Sequence, residues 1–170
     1  MNEIPPETSV FVDTNILIYS ISNHPIYGQW CDDLFDRISK GDLRGSISVI
    51  ILNELLHKLM IGEIAQKYGL KPEQVILRIK RDRTILKSLH AYEIVEDVVQ
   101  NYNLSILSVN VETFKLAHEY MQDYRLLSND ALHLAVMTQL EISDLVTNDK
   151  DFESIHTLRI WKPEYHQTFK

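Results

Sequence analysis

The sequence predicts an α/β fold: three layers, with a mostly parallel sheet of four to five strands between helices. Two observations predict it. Short β-branched and apolar runs recur along the chain at Ser9–Asp13, Gly45–Ser48, Leu104–Val109 and Asp144–Thr147. Between them lie stretches whose apolar residues recur every three or four positions, the spacing of one helix face.

Residues 1 to 8 read as a short, loose lead-in. Ser9-Val-Phe-Val-Asp13 then reads as a buried strand, because a β-branched and aromatic run ends in a polar residue. A helix over 15–21 is broken by Asn23-His24-Pro25. Trp30, Leu34, Phe35 and Ile38 mark a second helix, from Gln29 to Ile38, with Gly41 just beyond it. Gly45-Ser-Ile-Ser48 is a short strand. A long amphipathic helix follows over 49–67, carrying Leu52, Leu55, Leu56, Leu59 and Ile64 and ending near Gly69. Pro72 suits the first turn of a basic helix that runs to about Leu89. A further helix covers 91–101. After the strand Leu104–Val109 come helices over 111–123 and 129–140, the latter with Ser128 as its expected cap. Asp144–Thr147 and an edge segment, Thr157–Trp161, supply the last strands.

The chain has 170 residues, 45% hydrophobic and 24% charged. This is enough for one domain over 1–170 with a real core. A single cysteine, Cys31, leaves no internal disulfide, fits a reducing cytosol and reads as a packed small residue. The amino-terminal stretch has no basic start and no long apolar run, so no signal peptide is expected. Apolar runs such as Val49–Leu52 are far too short to span a membrane, and a cytoplasmic protein is expected.

The formal net charge is −7, which argues against a passive coat protein for nucleic acid. The charge is unevenly spread. From Lys58 to Lys87 there are eight basic and three acidic residues, so that segment carries +5 and the remainder −12. Two different surfaces are expected.

In open parallel sheets ligands sit beyond the carboxyl ends of the strands. Four acidic residues fall there. Asp13 ends the first strand, and Asp149 follows the fourth. Glu54 lies about two turns into the helix after the second strand, and Asp130 lies in the first turn of its helix, where the helix dipole favours a charged carboxylate. Carboxylates that converge stay ionised together only if a cation compensates them. A hard divalent ion with oxygen ligands would polarise a phosphorus centre, acidify water and stabilise the leaving oxygen.

The local sequences carry a resemblance. Phe11-Val-Asp-Thr-Asn-Ile-Leu-Ile-Tyr19 resembles the opening strand of PIN-domain nucleases. Ser48-Val-Ile-Ile-Leu-Asn-Glu54, Asn129-Asp-Ala-Leu-His-Leu-Ala135 and Leu145-Val-Thr-Asn-Asp-Lys-Asp-Phe152 are similar to their second, third and fourth motifs. All four stand in the family's order, across residues 9 to 161. The nearest subgroup is the VapC-like toxins of toxin–antitoxin pairs. The resemblance implies a PIN-like fold and an endoribonuclease dependent on Mg²⁺ or Mn²⁺, dimeric and restrained by a small antitoxin. It implies that Asp13, Glu54 and Asp130 hold the metal and that Asp149 completes the acidic set. Thr14 and Asn15 would orient Asp13, and Thr147 would position the fourth motif. Asp151 reads better as a turn residue, and His133 as a packed helical histidine.

One departure stands out. Glu54 and Asp130 are separated by 75 residues, more than in small members of the family. The extra length is an enlarged helical segment at about 58–101, and its Arg78, Lys80, Arg81 and Arg83 are candidates for contact with RNA phosphates. Haloacid-dehalogenase-type phosphatases need a second Asp where Asn15 stands. With five glycines in all, neither the P-loop nor the dinucleotide pattern occurs. A structure-specific DNA nuclease and a non-catalytic RNA-binding module of the same fold remain as alternatives.

Overall fold

The computed structural model describes residues 4–164. Five strands, β1 (Ser9–Val12), β2 (Arg44–Ser48), β3 (Ser105–Leu107), β4 (Asp144–Val146) and β5 (Arg159–Trp161), form one sheet. Its order is β3-β2-β1-β4-β5, and every pairing is parallel. Val10, Phe11 and Val12 of the central strand are fully buried, so both faces of the sheet are covered.

Helices α1 (Thr14–Ile21) and α2 (Gly28–Ser39) connect β1 to β2. Helices α3 (Val49–Tyr68), α4 (Pro72–Arg81) and α5 (Ala91–Asn101) connect β2 to β3. Helices α6 (Val111–Asp123) and α7 (Ser128–Gln139) return the chain to β4, on the other side of β1. Right-handed crossovers in opposite directions put the two groups of helices on opposite faces. The direction reverses between β1 and β4, and a crevice opens at the carboxyl ends of strands that diverge in this way. Asp13 lies at the end of β1 and Asp149 just past β4.

The structure departs from the sequence expectation in three places. The basic helix does not run to Leu89. It stops at Arg81, because Asp82 is extended (φ −147°, ψ 95°) and its carboxylate accepts from the Thr84 amide (3.1 Å) and hydroxyl (2.5 Å). Short acidic side chains compete with the helix ladder in this way. A 3-10 turn, Arg83–Ser88, follows. Ser128 does not cap α7. The helix begins one residue earlier than expected, so Ser128 is its first member and Leu127 stands at the cap without a side-chain bond. The lead-in is not loose at Ile4, which is buried in the core and whose carbonyl accepts from Arg37 Nη2 at 2.7 Å; residues 1–3 lie outside the described part.

The main core surrounds the sheet and includes Cys31, whose thiol burial pushes up to about 12, with help from nearby Asp32. A second, small core of Ile64, Val75 and Ile85 joins the far end of α3 to α4 and the 3-10 turn. Among the described residues, no helix is long and apolar enough to cross a membrane.

Candidate active site

Asp13 caps α1. Its Oδ1 accepts from the Thr14 amide at 2.6 Å. Its Oδ2 accepts from Asn15 Nδ2 and from Thr147 Oγ1, both at 2.5 Å. Thr147, fully buried after β4, also accepts from the Asp149 amide at 2.9 Å and from Asn15 Nδ2 at 3.0 Å. Asn15 Oδ1 accepts from the Asn148 amide at 3.2 Å. The turns after β1 and β4 are thus tied together beneath one carboxylate.

Glu54 is reached from two elements, α1 and α7. Thr14 Oγ1 donates to its Oε2 at 2.6 Å, and Asn129 Nδ2 donates to its Oε1 at 2.5 Å. His133 Nε2 stands 3.5 Å from Oε2. Burial works against the charge, but the nearby His133 ring and the hydrogen bonds from Thr14 and Asn129 outweigh it and hold the carboxyl near 2.

Asp130 has the opposite setting. Among the described residues no hydrogen bond reaches its carboxylate. Burial raises it first, then repulsion from Asp149, Asp13 and Asp151, to about 6 despite the opposing pull of His133. The helix dipole does not prevail over this burial and repulsion. Asp13 is also raised, chiefly by burial. Asp149 accepts through Oδ1 from the Asp151 amide at 3.0 Å. Asp151 is exposed and opens a short 3-10 turn that buries Phe152, which is a turn residue's role.

The four acids line one cleft of about 350 Å³ together with Asn15, Asn53, His57, Lys58 and Asn129. Arg78, Lys80, Arg81 and Arg83 do not line it; the basic side chain in its wall is Lys58. Arg78 is engaged elsewhere, 3.6 Å from Asp82 and over the Tyr68 ring at 4.9 Å. The sequence motifs do not single out Asn53, His57 and Asn129 as site residues. Helical spacing carried a signal for some of them: His57 and Lys58 follow Glu54 by three and four positions, on one face of α3.

An ionised carboxylate accepts at about four sites. Asp13 has both sites on Oδ2 filled and one open on Oδ1. Glu54 retains a site on Oε1, while among the described residues Asp130 has no donor and Asp149 has one, the Asp151 amide. Ligand atoms of Asp13, Glu54 and His133 lie within 4.8 Å of one another. Open oxygen sites on mutually repelling carboxylates fit a hard divalent cation.

Comparison with known proteins gives concordant likenesses. The PIN domain family model matches residues 10–158. Ribonuclease VapC2 of Methanocaldococcus jannaschii is 27% identical over 91% of this chain and 93% of its own length. Ribonuclease VapC6 of the same organism is 25% identical, over 91% and 97%. A chain of VapBC2 from Rickettsia felis, solved with a DNA fragment from its promoter, superposes with a TM-score of 0.59 at 19% identity, over 91% of this chain and 98% of that one. A chain of a toxin–antitoxin complex from Klebsiella pneumoniae gives 0.54 at 22% identity, over 92% and 99%.

Proposed function

This chain belongs to the PIN-domain family, and from that premise we propose that it is a metal-dependent endoribonuclease, the toxin of a toxin–antitoxin pair. The observation that carries the reading is the convergence of Asp13, Glu54, Asp130 and Asp149 in one cleft at the switch point of the sheet. The names of the two curated relatives, both ribonucleases, support RNA as the substrate. The structural neighbours, one from a VapBC2 assembly and one from a toxin–antitoxin complex, support a small antitoxin partner. A homodimer in the cytoplasm completes the proposal.

Asp13, Glu54, Asp130 and Asp149 would hold Mg²⁺ or Mn²⁺. Such an ion supplies activation of water and charge stabilisation of the leaving 3′ oxygen. The chain's own groups do the rest. Thr14, Asn15 and Thr147 fix Asp13 so that Oδ1 stays open. Thr14 and Asn129 fix Glu54. Asp130, held near 6, is ionised at neutral pH and free to turn toward a cation. Lys58 in the cleft wall offers an ammonium to a phosphate oxygen. No side chain need form a covalent intermediate, and hydrolysis leaves a 5′ phosphate.

The test is cleavage of total RNA, and of flap and duplex DNA, by purified protein with Mg²⁺, Mn²⁺ or EDTA. The expected result is discrete RNA fragments that require the metal and vanish in Asp13→Asn and Asp130→Asn, both of which stay folded. Cleavage of DNA alone would move the reading to a structure-specific DNA nuclease. No cleavage by folded, metal-loaded protein free of antitoxin would leave a binding module.

A further inference from the structure

His133 is 2% exposed and lies at a mid-helix position of α7, with its ring centroid 5.8 Å from that of Phe11. Its Nε2 stands 3.5 Å from Glu54 Oε2, and its Nδ1 is buried with no hydrogen-bond partner among the described residues. The proximity of Asp13, Glu54 and His133 admits two arrangements. In one the imidazole is a nitrogen ligand; in the other it acts on Glu54. We infer that His133 is a positioning residue: its Nε2–H steadies Glu54 Oε2, and the cation of the proposed nuclease is held by oxygen alone.

The unpartnered Nδ1 decides between the two. If Nε2 bound the ion, the ring hydrogen would sit on Nδ1. Metal-bound histidines almost always donate that second N–H to an acceptor. Among the described residues none faces it, so the hydrogen would be buried unpaired, which is the expensive way to leave a polar atom. With the hydrogen on Nε2, Nδ1 presents only a lone pair and Nε2 faces a carboxylate. The 3.5 Å separation is longer than a formed bond, and a shift of roughly half an ångström closes it.

The placement in the helix supports this reading. Asn129 and His133 are four residues apart, on one face of α7. Asn129 donates to Oε1 of Glu54 while His133 faces Oε2, so one helix grips both oxygens of a carboxylate carried by another. Thr14 fills one site on Oε2, and His133, once it closes on that oxygen, fills the other. Glu54 is left with its open site on Oε1, a single, fixed point of attachment for the cation.

The test has two arms. The first is independent of the proposed function: ¹⁵N NMR of the histidine rings in metal-free protein. The expected signature for His133 is an unprotonated Nδ1 and a protonated Nε2, and the reverse would overturn the inference. The second arm uses Mn²⁺ alone. Pulsed EPR of the wild type should show no directly bound ¹⁴N, and a nitrogen coupling that disappears in His133→Leu would overturn the inference. Mn²⁺ affinity should fall about 10-fold in His133→Leu. His133→Gln, which keeps a donor near Nε2, should stay within about threefold of the wild type, and equal losses in both variants would overturn positioning by that N–H. If His133→Leu does not fold, the wild-type NMR and EPR still decide. Failure of the wild type to bind Mn²⁺ would instead overturn the proposed function, and the metal-free tautomer would still decide where the hydrogen lies.

Discussion

Glu54 and Asp130 share a cleft and respond to it in opposite directions, because one carboxylate is dressed with donors and the other is not. The raised group stabilises the fold fully below its unfolded value near 3.8 and loses that contribution as pH rises through about 6. Metal-free wild type at pH 8 therefore carries the cost of a buried charge and of repulsion from neighbouring acids, both of which Asp130→Asn removes. The expected outcome is a higher melting temperature for Asp130→Asn at pH 8, with the difference shrinking toward zero as pH falls below 6. Equal melting temperatures at pH 8 would refute this reading of Asp130. Glu54 is lowered, so its contribution is complete above about 4.5 and is lost only as pH falls through about 2. Glu54→Gln sets an amide against the donors of Thr14 and Asn129. It should cost on the order of 1–3 kcal/mol at neutral pH, measured by denaturant titration.

At the scale of elements, two features of the chain between β1 and α5 make separate predictions. Gly45 lets β2 pass close to its neighbours: a Cβ there would stand 2.7 Å from Leu104 Cδ2 and 2.8 Å from Ile38 Cδ1. Gly45→Ala should therefore destabilise by about 1–3 kcal/mol, read by the same titration. The end of α4 and the turn after it carry Lys80, Arg81 and Arg83 exposed, away from the cleft lining. If they bind RNA, neutralising all three as alanines should weaken affinity and flatten its salt dependence. The logarithmic slope should fall by about 0.7 for each phosphate that is no longer neutralised. Mn²⁺ binding should be unchanged. An unaltered slope would mean that this arm is only a solvated surface. Arg78 belongs to a different class, since its partners Asp82 and Tyr68 are internal to the arm.

Over the whole molecule, the chain divides its burial unequally. The main core wraps the sheet, while Ile64, Val75 and Ile85 form a small satellite at the far end of α3. A region with so few fully buried apolar residues opens at a lower free energy than the sheet. Amide hydrogens of α4 should therefore exchange by a local opening, well before those of β1 and β4, and Val75→Ala should speed α4 while leaving β1 protection nearly unchanged. Equal protection in both would mean that the arm and the sheet unfold as one unit. Mg²⁺ or Mn²⁺, bound in the cleft, should protect the turns after β1 and β4 more than the arm, because those turns meet at Asp13 through Thr147 and Asn15.

Periodicity placed the strands, most of the helices and the four acids at the carboxyl ends of the sheet, because these depend on local pattern: alternating helix faces, short β-branched runs and the turn residues between them. The break at Asp82 was in principle legible, since an acid followed two residues later by Thr84 can form its own turn. Burial of Ile4 depended on a distant partner, Arg37. The electrostatics of the site also lay beyond the sequence. The string of residues carries four carboxylates of similar intrinsic acidity; it cannot say that Thr14 and Asn129 converge on Glu54 while, among the described residues, nothing donates to Asp130. Nor can it say that His133 turns one nitrogen to Glu54 and leaves the other unpartnered. Local patterns act over a few residues of chain, whereas desolvation and hydrogen bonding act across space. Only the packing of α1, α3 and α7 at the end of the sheet decided which of the acids is held and which is free.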